Sequence, residues 1–107
     1  MNYKQLNKII QKQIQIILKT RDDGQKEYAR TEDNVFANFQ RVANYVGVCQ
    51  EQVLMVYLLK HIDGIMAYVN GHKSQRENVS GRITDAIVYL LLLRGMIEEN
   101  ETNKRTK

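Results

Sequence analysis

Not one proline interrupts this chain of 107 residues, and its Leu, Ile and Val residues recur with helical spacing. Proline is the commonest helix breaker, because it removes a backbone donor and clashes with the preceding turn. A chain without it, punctuated by only six glycines, is predicted to be all-α. Its length suits one domain with one core.

Four helices are expected. The first covers about residues 3–19, where Leu6, Ile9, Ile10, Ile14 and Ile17 fall on one side and Lys and Gln fill the other. Arg21-Asp22-Asp23-Gly24 ends it, with Gly24 free to turn left-handed. Residues 25–33 read as a polar, irregular segment in which residues 26–30 can form a helical turn. Thr31 to Asn34 offer N-caps for a second helix, which runs to Val46 and stops at Gly47. The third, about residues 50–69, is apolar almost all round between Val53 and Leu59 and ends at Asn70-Gly71. Gly64 inside it costs about 1 kcal/mol relative to Ala, which points to close approach of another helix or a ligand. A polar loop over residues 71–80 leads to the fourth helix, about residues 81–99.

The expected architecture is therefore a four-helix bundle over residues 1–99, with a disordered or frayed tail at 100–107. Val35, Phe36, Phe39, Val42, Val53, Val56, Leu59, Ile62, Ile83, Ile87 and Leu90 are its expected core. The apolar content of residues 53–59 and 86–93 exceeds what one such bundle easily buries. A homo-oligomer is the expected outcome.

The net charge of +4 is modest for a nucleic-acid binder but suits an anionic small ligand. Residues 1–30 carry seven Lys/Arg against three Asp/Glu and so account for the whole excess. Direct DNA binding is not expected, because no helix presents a clear row of basic and aromatic residues. The single cysteine, Cys49, cannot close an internal disulfide and fits a reducing compartment as a packing residue. Lys and Gln break up the apolar positions of the first 20 residues, so no signal peptide is expected. The longest apolar stretch, residues 86–93, is far short of the roughly 20 residues of a membrane span. A cytoplasmic protein without a membrane partner is the expectation.

Ionisable residues set directly against apolar helical sequence mark where a site would be, since a charge on a packed face is unfavourable unless partnered. Arg82, Asp85 and Tyr89 share one face of the fourth helix. Tyr57, Lys60, His61 and Gly64 are neighbours on the third. Lys60 or His61 can pair with Asp85 as a structural clamp between helices. The functional alternative adds Glu27, Arg30 and Asp33 to make a mixed-charge pocket. In it Tyr28, Tyr57 or Tyr89 would stack on a base, and Lys60, Arg30, Arg82 or Arg76 would meet phosphates.

No metal site is expected. His61 and His72 lack zinc-like spacing to other ligands, and Glu27, Asp33, Asp63 and Asp85 are scattered over separate segments. No glycine-rich phosphate loop or nucleophile elbow is present. Catalytic residues and cofactors are accordingly expected to be none, and an enzyme is not the favoured reading.

The run Lys26-Glu27-Tyr28-Ala29-Arg30, with Asp33-Asn34 and Asn38-Phe39 after it, resembles small phage and prophage proteins of the "nucleotide modification associated domain" family. The likeness continues at Gly47, at Lys60-His61 and at Gly81-Arg82-Ile83-Thr84-Asp85-Ala86-Ile87-Val88-Tyr89-Leu90-Leu91-Leu92, and spans about residues 25–99. The resemblance implies an all-helical protein in a viral nucleotide context, loosely similar to all-α nucleoside-triphosphate pyrophosphohydrolases. Those enzymes carry paired acidic helix motifs that this chain lacks. The expected function is therefore a phage nucleotide-binding protein that sequesters a host immune signal without turnover, in counter-defence inside the bacterial cell. A metal-dependent pyrophosphohydrolase and a protein-binding inhibitor module are the alternatives.

Overall fold

The computed structural model describes residues 1–106; Lys107, the end of the expected tail, lies outside the described residues. Four α-helices and one π-helical turn make up the described chain, with no strand among those residues. Helix α1 covers Tyr3–Gly24, the π-turn Gln25–Ala29, α2 Ala37–Val46, α3 Gln50–Val69 and α4 Val79–Thr106. The all-α expectation holds. Helices α3 and α4 pack along one another, α1 lies on α4, and α2 packs on α3 and touches the π-turn. Helices α2 and α3 meet at a bend of 100°. No single helix among the described residues is long and apolar enough to cross a membrane.

The largest departure from expectation is the end of α1. Gly24 does not turn left-handed; it keeps φ −64° and the helix continues through it. Side chains one turn apart support the continuation: Lys19 pairs with Asp23 at 2.8 Å, and Arg21 Nη2 donates to Gln25 Oε1 at 2.7 Å. The backbone then widens, with Arg30 N donating to Gln25 O at 3.0 Å, five residues back. Arg30 itself makes the stop, in a left-handed conformation at φ 66°. The start of α1 is a reciprocal cap: Asn2 Oδ1 accepts from Gln5 N, and Gln5 Oε1 accepts from Asn2 N.

The other boundaries lie closer to expectation. Asn34 accepts from Phe36 N at 3.1 Å, so it caps a turn ahead of α2 instead of opening the helix. Gly47 (φ 74°) and Gly71 (φ 97°) make the left-handed stops that end α2 and α3. Asn78 Oδ1 accepts from Gly81 N at 2.6 Å near the start of α4, which begins two residues earlier than expected and runs past residue 99 to Thr106.

The core joins Phe36, Phe39 and Ala43 to Val53 and Leu54 of α3 and Met96 of α4. Burial of side chains as large as Phe39 and Leu54 is worth about 1.5–3 kcal/mol each. Six expected core residues are exposed in the single chain: Val35, Val56, Leu59, Ile62, Ile83 and Leu90. Leu54, Leu58, Ala86, Val88 and Met96 are buried in their place. For the five on α3 and α4 the reason is physical: these helices are apolar on several sides, so periodicity alone does not choose the face that meets the neighbours. Val35 stands in the turn before α2. Helix α1 buries none of its residues. A hydrogen bond from Gln13 Nε2 to Thr84 Oγ1 (2.8 Å) helps hold it to α4.

Candidate functional site

The π-turn, α2, α3 and α4 close around one cleft of about 530 Å³, with the C-terminal turn of α1 forming part of its wall. Four cationic side chains line it, Arg21, Arg30, Arg41 and Lys60, against a single carboxylate, Asp85. Arg30 and Arg41 are held by backbone carbonyls and Arg21 by a side-chain amide. Arg41 Nη2 donates to the Tyr28 carbonyl, tying α2 to the π-turn. Arg30 Nε donates to the Glu27 carbonyl at 3.3 Å, and Arg21 holds Gln25, whose amide donates to the Thr31 carbonyl. Lys60 has no hydrogen-bond partner among the described residues and leaves its ammonium exposed.

Aromatic side chains form the floor and the rim. Phe39, Tyr57 and Tyr89 make a three-ring cluster with centroids 6.0–6.2 Å apart. His61 stacks on Tyr89 with centroids 5.6 Å apart and planes 29° from parallel. Burial pushes the Tyr89 phenol up to about 12. Tyr28 and Tyr45, at the rim, are 54% and 80% exposed and keep ring surface free.

At one end of the cleft His61 is 7% exposed, with its Nδ1 buried and without a hydrogen-bond partner. Its two nitrogens face two carboxylates. Nδ1 lies 3.9 Å from Glu77 Oε2 and Nε2 lies 3.7 Å from Asp85 Oδ2, both beyond hydrogen-bond length. Burial is the main cause that raises the Asp85 carboxyl above the ordinary range, and the neighbouring Glu77 adds to it; His61, Arg82 and Lys60 oppose it.

Of the residues expected in a binding pocket, Tyr28, Arg30, Tyr57, Lys60, His61, Asp85 and Tyr89 line this cleft. Glu27, Asp33, Arg76 and Arg82 do not. Glu27, Asp33 and Arg76 are exposed on the π-turn and on loops. Arg82 turns the other way. Its side chain lies against Gly64, where a Cβ would come within 2.5 Å of Nε, and Nε donates to Gln75 Oε1 at 2.9 Å. Gln75 in turn donates to the Gly64 carbonyl at 2.9 Å. The close approach expected at Gly64 is therefore made by an arginine of α4. The nitrogen that faces Asp85 within 4.0 Å is His61 Nε2 and not Lys60 Nζ.

Sequence reasoning missed Arg21, Arg41, Tyr45 and Glu77. Asn38, Arg41 and Tyr45 stand three and four residues apart on α2, so their shared face was available as a signal. Glu77 lies in a loop, where no periodicity reports on neighbours.

No family model matches the chain, and neither does any curated protein or solved structure compared with it.

Proposed function

We propose that this protein binds an anionic nucleotide in the cleft and holds it without turnover, as a phage protein that sequesters a host immune signal. In this reading it acts in the cytoplasm of the bacterial cell. One observation carries the reading: four cations and a set of tyrosines surround a cleft of about 530 Å³ that holds one carboxylate. That volume lies in the roughly 300–1,000 Å³ range of small-ligand sites. Charge-assisted contacts from Arg and Lys suit phosphate, and an exposed tyrosine face suits a base. Lys60 and Arg30 are the phosphate partners in this reading and Tyr28 is the stacking ring. Tyr89 already gives ring surface to His61, Tyr57 and Phe39.

The protein is also proposed to act as a homo-oligomer. Leu6, Ile9, Ile10 and Ile14 of α1 are exposed, as are Val56 and Leu59 of α3 and Leu90 and Leu91 of α4. Apolar faces of this kind are covered in most soluble proteins by a partner.

The experiment is incubation with a panel of linear and cyclic nucleotides, with and without Mg²⁺ or Mn²⁺, followed by heat denaturation and analysis of what is released. A nucleotide recovered intact is the expected result. Recovery of a cleaved product would replace the reading with hydrolysis. Failure of every nucleotide to co-purify would leave a protein-binding module as the better account.

A further inference from the structure

We propose that His61, Glu77 and Asp85 form a site for one divalent transition-metal ion at the end of the cleft. One nitrogen of His61 and one oxygen from each carboxylate lie within 4.8 Å of one another. Ligand atoms bound about 2.1 Å from a common ion stand roughly 3–4 Å apart, so small side-chain movements complete the set. Glu77, in the loop before α4, and Asp85 are both part-exposed and free to make them.

Two independent observations point to a ligand. The imidazole is more than nine-tenths buried, and its Nδ1 has no hydrogen-bond partner although it faces Glu77 across 3.9 Å. A buried polar atom left in that state is rare in folded proteins. Secondly, neither carboxylate has a Lys or Arg nitrogen within 4.0 Å among the described residues; only the His61 nitrogens lie within that distance. Two carboxylates thus face one imidazole with no other cationic side chain beside them among the described residues, a donor set that a divalent cation can bridge. Imidazole with carboxylate selects ions such as Zn²⁺ and Mn²⁺ over Mg²⁺, which prefers oxygen alone. Three protein ligands leave positions open, and since His61 and Asp85 also line the cleft, these can receive water or an anionic oxygen. The competing occupant is a proton, giving an imidazolium between two carboxylates. The inference stands on these three side chains and does not require the nucleotide reading.

The test uses the full chain, stripped with a chelator and titrated separately with Zn²⁺, Mn²⁺ and Mg²⁺ in the absence of nucleotide. Ion content is read by equilibrium dialysis and the imidazole nitrogens by NMR. Only two histidines are present, so exposed His72 is an internal control, and Cys49→Ser removes the one thiol that could compete for Zn²⁺. The expected result is one ion per chain with Zn²⁺ or Mn²⁺, and Mg²⁺ at least tenfold weaker. The His61 ring signals should move while those of His72 stay in place. Glu77→Gln and Asp85→Asn should each weaken binding at least tenfold. Unmoved His61 signals at millimolar ion would overturn the site. So would binding that the Glu77→Gln and Asp85→Asn variants leave unchanged, or binding lost with Cys49→Ser. The wild-type His61 signal decides the matter even where a variant does not fold.

Discussion

At one end of the α3–α4 pair, Gly95 of α4 lets the Phe36 ring approach the helix, so that an added Cβ would lie 3.2 Å from Cζ. At the other end Gly64 of α3 admits the Arg82 side chain even more closely, at 2.5 Å. The first contact belongs to a dry cluster in which Phe36, Phe39, Leu54 and Met96 are almost fully buried. The second belongs to a polar region that includes Gln75, His61, Glu77 and Asp85, with an unpaired buried nitrogen. A missing side chain thus serves rigid packing at one end and a hydrogen-bonded cation at the other. The dry end holds the helices together; the polar end keeps the groups that can meet a ligand.

The largest expected effect falls on the dry end. Leu54→Ala should lower unfolding free energy by about 2–5 kcal/mol, since Leu54 is wholly buried and its cavity cannot collapse easily. Denaturant titration followed by circular dichroism measures it. A loss below about 1 kcal/mol would mean that the Phe36–Met96 cluster is not the structural anchor.

The paired glycines sharpen the contrast. Gly95→Ala presses a buried ring and should destabilise by about 1–2 kcal/mol, from overpacking that exceeds the gain in helix propensity. Gly64→Ala meets the far end of a flexible side chain, so propensity should about offset the displacement of Arg82 from Gln75. Its melting temperature should stay within a few degrees of wild type, and the two melting temperatures compared under one buffer decide the point. Equal losses at both sites would erase the distinction between the ends.

A smaller effect separates stability from binding. Arg30 is the one non-glycine residue at positive φ among the described residues, a conformation that costs most residues about 1 kcal/mol. Arg30→Gly should therefore raise stability by up to about 1 kcal/mol while weakening anion binding at the cleft. Thermal melts with and without a bound nucleotide read both quantities. A stability loss would show that the Arg30 guanidinium, bonded to the Glu27 carbonyl, is a structural strut.

These regions were unequally legible in the sequence. The helix count, the bounds of α3 and the stops at Gly47 and Gly71 follow from local chemistry that the fold does not override. The continuation of α1 through Gly24 was hidden because glycine permits either outcome, and the i,i+4 partners Lys19–Asp23 and Arg21–Gln25 decided it. The core on α3 and α4 was half legible, because Val56 and Leu59 are as apolar as Leu54 and Leu58. Seven cleft residues could be named in advance, since Tyr28, Arg30, Tyr57, Lys60, His61, Asp85 and Tyr89 interrupt or flank apolar helical runs. Glu77 could not, because only the fold of the 71–78 loop brings it to His61.

Binding of nucleotide by wild type, Lys60→Met and Arg30→Ala, measured by calorimetry on samples whose fold is confirmed by circular dichroism, tests the central claim most directly. The account expects saturable binding by wild type, at least a tenfold loss in each variant, and melting temperatures close to wild type. Binding that survives both substitutions, or a Lys60→Met variant that loses stability while Arg30→Ala binds normally, would contradict it.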